Sequence, residues 1–101
     1  MMDPDLPSFM IADVVESVAG RDAGQLFYVI AADDQFLTLV NGINRTLEEP
    51  KRKKCKHAKK VLRSETRVAQ MLRSGDKVLN SELRRDLAFH VRAMQGNDLG
   101  G

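Results

Sequence analysis

The apolar positions of this chain change period once. Up to Val40 they fall in short runs separated by polar turns, and beyond Ser64 they recur at helical spacing. The stretch MIADVVESV, residues 10–18, sets Ile11, Val14, Val15 and Val18 in an imperfect alternation, which predicts a strand with a bulge or a half-buried edge. LFYVIAA, residues 26–32, is too short for a typical helix and reads as a buried strand. FLTLV, residues 36–40, predicts a third strand with Phe36, Thr38 and Val40 on one face and Leu37 and Leu39 on the other. Between the first two runs, Gly20 and Gly24 in SVAGRDAGQ predict a tight loop, and Asp33-Asp34-Gln35 makes a polar turn. Asn41-Gly42 is a type I′ hairpin signal, which makes RTLEEP, residues 45–50, the returning strand, stopped by Pro50.

Four or five short strands in so little chain cover their edges best as a small closed or nearly closed barrel, ending near residue 58. Further on, Ser64 is placed as a helix cap, with Val68, Met71 and Leu72 on the apolar face and Gly75 as the stop. Asn80 or Ser81 then caps a second helix whose Leu83, Leu87, Val91 and Met94 share a stripe, with Gly96 closing it. Helices this short are unstable alone, so they must pack on each other, on the barrel or on a partner. The expected class is mainly β, with a flexible segment at 1–9, an SH3-like barrel at 10–58, and a basic linker with a two-helix extension at 59–101.

A length of 101 residues suits one small domain. Its net charge of +2 conceals a segregation: residues 1–44 carry −6, residues 45–73 carry +8, and the remainder is neutral. A basic middle beside an acidic first half favours a polyanionic partner, of which nucleic acid is the commonest. The single cysteine, Cys55, excludes an intrachain disulfide and fits a reducing cytoplasm. No apolar stretch approaches the roughly 20 residues of a membrane span, and the start does not read as a secretory signal.

The sharpest chemical feature is KRKKCKHAKKVLR, residues 51–63, which concentrates Lys51, Arg52, Lys53, Lys54, Lys56, Lys59, Lys60 and Arg63. Such a run neutralises phosphates with little sequence preference, or else is a solvated segment paired with the acidic barrel. Arg21, in the glycine loop, is either a phosphate contact or an ordinary turn residue. Cys55, His57 and His90 lack the paired spacing of a zinc site, and neighbouring lysines could activate the Cys55 thiol, although an inert exposed thiol is the simpler expectation. Phe89 lies opposite the Leu83, Leu87, Val91 stripe, beside Arg85 and Arg92, and either packs on the barrel or meets a partner. Asp33 and Asp34 are explained by their turn, and no nucleophile with its base, phosphate loop or metal motif is visible, so neither an enzyme nor a cofactor is expected.

ADVVESVAGRDAGQLFYVIAADDQFLTLV resembles the KOW motif, in which a strand, a glycine-containing loop and a second strand open an SH3-like barrel, and AGRDAG, ADDQFLTLVNG and PKRKKCKH fall in the order shown by a family of ribosomal proteins. Gly24 matches the hallmark glycine. The closer similarity is to archaeal and eukaryotic large-subunit ribosomal proteins of the fourteen-e type and to their bacterial relatives. It covers about residues 11–58 and, more weakly, LNSELRRDL in the tail. The resemblance implies RNA binding in or near the ribosome, with ribosomal RNA and ribosomal proteins as partners, through the glycine loop (Arg21, Gly24) and the adjoining basic surface. Relatives commonly carry basic residues after the hallmark glycine, whereas Gln25 stands there and Asp22 precedes it, so the expected contact moves toward residues 45–63. A different class of function, a protein-interaction module, would use the acidic barrel face or the apolar helix stripe.

Overall fold

A computed structural model describes residues 8–95. Most of the N-terminal segment read as flexible, together with Gly96 and the terminal Leu-Gly-Gly, lies outside the described residues. Five antiparallel strands, β1 (Asp13–Ser17), β2 (Leu26–Ala32), β3 (Phe36–Val40), β4 (Lys51–Lys54) and β5 (Ala58–Arg63), form one sheet in the order β4-β3-β2-β1-β5. Two helices follow, α1 (Arg67–Ser74) and α2 (Asn80–Gln95). The expected small barrel-like β domain with a helical extension is therefore the architecture observed.

The edge strands β4 and β5 are joined by one 3-10 turn, Cys55–His57, and that turn ties distant parts of the sheet together. Cys55 N–H donates to the Gln35 carbonyl beside β3, while the His57 carbonyl accepts from Val18 N–H beyond the end of β1. The sheet is thus curled, with an inner and an outer face. Val15, Phe27, Val29, Leu37, Leu39 and Ala58 fill the inside, with Phe9 and Cys55 packed against them. Val14, Tyr28 and Val40 face outward and are covered by Ala69 of α1, Val78, and Leu83 and Leu87 of α2. Coverage on both faces explains why adjacent Val14 and Val15 are both buried, and each large apolar side chain so enclosed contributes roughly 1.5–3 kcal/mol. The expected irregularity of β1 is a register shift against β5 between Val14 and Val15, while Ile11 and Val18 lie outside the strand and exposed.

Four expectations change. Residues 45–50 do not form a returning strand, because Asn41 Oδ1 accepts from Ile43 N–H (2.9 Å) and Arg45 N–H (3.0 Å) and holds the chain in an irregular loop. Gly42, at φ +77°, lies in that loop against the first turn of α2. The strand that completes this side is the basic run itself: Lys53 stands opposite Leu37 and Lys51 opposite Leu39. The barrel also runs on past residue 58, since Lys59, Lys60, Leu62 and Arg63 pair with β1 and are strand rather than linker. At α1 the N-cap is Thr66, whose Oγ1 accepts from Ala69 N–H, and not Ser64. The helix stops as expected at Gly75 (φ +78°), with Gly75 N–H on Leu72 and Asp76 N–H on Met71. Asn80 begins α2, but its side chain reaches sideways to Leu47 N–H and Glu48 instead of capping.

Candidate functional site

In a strand, successive side chains point to opposite faces, so the four cations of β4 divide two and two. Lys51 and Lys53 share the inner face with Leu37 and Leu39, and there they meet the glycine loop. Asp22 of that loop is buried, with Oδ1 accepting from Ser17 Oγ (2.7 Å) and from Lys53 Nζ (3.2 Å). Lys51 Nζ lies 3.1 Å from Oδ2 but outside hydrogen-bonding geometry, so this oxygen has charge contact without a directed donor. Lys53 also donates to the Ala19 carbonyl at 3.0 Å and is only 8% exposed. Burial by itself raises the Asp22 carboxyl, but the Ser17 hydroxyl and the two ammonium groups outweigh it and hold it at about 2. The tight loop brings a carboxylate to the inward lysines of β4 and fastens the loop to that strand. Gly20 (φ +84°) and Gly24 (φ +93°) supply the left-handed turns that this path requires.

The remaining cations of the run have different surroundings. Lys60 pairs with buried Asp13 (3.1 Å), and Arg63 with exposed Glu65 (3.4 Å). Arg52, on the outer face of β4, lies over the Phe36 ring, 4.0 Å from its centre. It also lines a shallow open depression with Phe36, Gln35, Asp33 and Asp34. Lys54, Lys56 and Lys59 are exposed and, among the described residues, have no carboxylate within ion-pair distance. They come from the end of β4, the 3-10 turn and the start of β5, the corner at which the two edge strands are joined. Arg21 and Gly24 are exposed on the glycine loop, whose Val18 is hydrogen-bonded to that same turn. Of the ten residues singled out in the sequence, Lys53 is enclosed within the protein and Lys51, Lys60 and Arg63 are paired, leaving Arg21, Arg52, Lys54, Lys56 and Lys59 as the outward cations.

Cys55 is half-buried rather than exposed, and burial followed by the charge of Asp33 pushes its thiol upward, opposite to activation. Asp33 accepts from Gln35 and Phe36 N–H at 2.9 and 2.8 Å, as a turn aspartate does, which lowers its carboxyl. Among the described residues no group of three or more His, Cys, Asp and Glu side chains could hold a metal ion. His90, grouped in the sequence with Cys55 and His57, belongs elsewhere.

His90 is part of a buried polar cluster that sequence reasoning missed. Tyr28 Oη of β2 lies 2.8 Å from Ser64 Oγ and 3.2 Å from His90 Nε2, and it donates to Asp86. Ser64 Oγ is 3.0 Å from His90 Nε2, and Thr66 Oγ1 donates to Asp86 at 2.9 Å. A serine, a histidine and an aspartate together suggest a relay, which needs hydroxyl and carboxylate on opposite imidazole nitrogens. Here Asp86 approaches the same Nε2 at 3.6 Å, and Ser64 is 1% exposed, so the cluster is a clasp between sheet and helices. The one sequence signal was Asp86 and His90 at i, i+4 on the flank of the Leu83–Leu87 face.

Leu83 and Leu87 of the apolar stripe of α2 are buried against the sheet, whereas Met94 at its far end is 46% exposed. Phe89 does not pack on the barrel: it is 52% exposed, with its ring edge-on to His90. No helix of the described residues is long and apolar enough to cross a membrane. No family model and no curated protein matches the chain.

Proposed function

We propose that this chain is a cytoplasmic, non-catalytic RNA-binding module that holds the phosphates of folded RNA, in or near the ribosome. The observation that carries the reading is the corner of Lys54, Lys56 and Lys59, three exposed cations without a carboxylate partner among the described residues, whereas the other run lysines are paired. Pairing four cations of the run internally gives the corner a defined position on the barrel, and phosphate contacts of this kind set register and affinity without reading bases. Arg52, stacked on Phe36, and Arg21, on the neighbouring loop, extend the same positive surface. The resemblance of residues 11–58 to KOW-domain proteins agrees with ribosomal RNA as the proposed ligand, with its contact expected toward residues 45–63.

The test is the variant Lys54→Glu/Lys56→Glu/Lys59→Glu, titrated with a ribosomal RNA fragment recovered by crosslinking in cells. Binding should weaken, and the slope of log affinity against log salt should become shallower by about two to three. An unchanged affinity and slope removes the corner from the mechanism. Recovery of a protein partner that survives nuclease treatment, with no RNA attached, overturns the reading in favour of a protein-interaction module.

A further inference from the structure

Residues 85, 89 and 92 fall within an arc of about 60° on an α-helix, so Arg85, Phe89 and Arg92 form one stripe along α2. The buried Leu83, Leu87 and His90 occupy the opposite side, and the stripe points away from the sheet. Arg85, Ala88, Phe89 and Arg92 are all exposed, and Arg84 flanks them. The two acids of α2 are engaged elsewhere: Asp86 takes hydrogen bonds from Tyr28 and Thr66, and Glu82 accepts from Leu79 N–H at 3.0 Å. Among the described residues neither Arg85 nor Arg92 has a carboxylate within ion-pair distance. Phe89 is held at its edge by His90, 5.4 Å between ring centres, and is thereby oriented without being covered.

An exposed ring between two unpaired arginines matches a ligand that alternates flat apolar surfaces with negative charge, which is the chemistry of single-stranded nucleic acid. Packed duplex offers phosphates but no free base face. We infer that this face of α2 is a second RNA contact, where one unstacked base lies on Phe89 and the adjoining phosphates meet Arg85 and Arg92. The inference rests on the RNA-binding reading and adds to it a preference for unpaired nucleotides, carried by the helical extension rather than the barrel.

The experiment compares wild type, Phe89→Ala and the triple lysine variant on two probes, a short oligoadenylate and a blunt RNA duplex. Phe89→Ala should lose about tenfold in affinity for oligoadenylate and none for duplex, because stacking needs a free base. Phe89→Trp, in a chain without tryptophan, should retain oligoadenylate binding and show indole quenching on its addition. Unchanged oligoadenylate affinity in Phe89→Ala, with duplex binding lost in the triple lysine variant, overturns this inference and leaves the basic corner standing. Wild type that binds neither probe at low salt overturns both. Capture of polyglutamate that Phe89→Ala abolishes, with RNA binding unaltered, assigns the face to an acidic protein and overturns the nucleotide contact.

Discussion

The ammonium of Lys53 lies 3.2 Å from Oδ1 of Asp22, so the most basic strand of the sheet is fastened to the glycine loop by a cation that water scarcely reaches. This pair determines which part of the basic run is structural. Lys53 sits over the barrel interior, where an isolated charge would be costly, and Asp22 with the Ala19 carbonyl supplies the compensation. The loop in turn keeps its shape because Asp22 is held.

Removal of the Asp22 charge should therefore destabilise the fold in a pH-dependent way. The Asp22 carboxyl is held at about 2 against an ordinary 3.8, so its contribution is complete above pH 3.8 and is lost as the pH falls through 2. That difference amounts to about 2 kcal/mol. Asp22→Asn should be less stable than wild type in urea at neutral pH by about this amount, and the gap should close near pH 2. A gap that persists unchanged into acid would show that the pair contributes through something other than charge.

Tyr28 anchors the helices through its hydroxyl, and it is the only tyrosine of the chain. Burial, with the Asp86 carboxylate, pushes its phenol up to about 12 from an ordinary 10. This stabilisation is present below pH 10 and disappears as the pH rises through 12. Tyrosinate absorbance should accordingly appear together with the loss of circular dichroism, in one alkaline step; ionisation at pH 10 with the fold intact would contradict the burial. Tyr28→Phe should cost about 1–3 kcal/mol, since Asp86 loses a buried donor.

Gly42 and Gly24 share a positive φ but differ in surroundings, which separates strain from contact. A Cβ on Gly42 would overlap the Asn80 carbonyl oxygen and come within 3.0 Å of Arg84 N, whereas one on Gly24 meets nothing within 4 Å. Gly24→Ala should cost about 1–2 kcal/mol from backbone strain alone. Gly42→Ala should cost about 3 kcal/mol or more and speed amide exchange in the first turn of α2. Equal losses at the two sites would mean that the loop against α2 gives way freely.

Strands β2 and β3 could be read directly because their apolar runs are bounded by turn residues, and the alternation in FLTLV predicts the faces observed. Strand β4 could not. Its inward positions are Lys51 and Lys53, which become strand residues only through the partner Asp22, and pattern reasoning has no means of pairing a lysine with an aspartate 31 residues away. The Asn-Gly signal failed for a related reason: Gly42 does take positive φ, but to approach α2 rather than to turn a hairpin. Of the candidate site, the run of cations was legible and its division was not, since pairing depends on which face each lysine takes. The Tyr28 clasp was hidden because its five members lie on three separate segments, and each alone has an ordinary role.

That division leads to opposite outcomes at neighbouring positions. Lys53→Met removes a cationic partner of a buried carboxylate and should cost about 3 kcal/mol, because only Lys51 and the Ser17 hydroxyl then compensate Asp22. Lys54→Ala removes an exposed cation and should change stability by no more than about 0.5 kcal/mol. On RNA the order reverses. Lys54→Ala should make the salt dependence of binding shallower by about 0.9, the share of one phosphate contact on a duplex. Lys53→Met, assayed below its melting temperature, should leave that slope unchanged, because a buried lysine contacts no phosphate in the folded protein. Parallel urea melts and salt titrations of the two variants check both halves, and a slope change in Lys53→Met equal to that of Lys54→Ala would mean that the glycine loop lifts away from β4 when RNA binds.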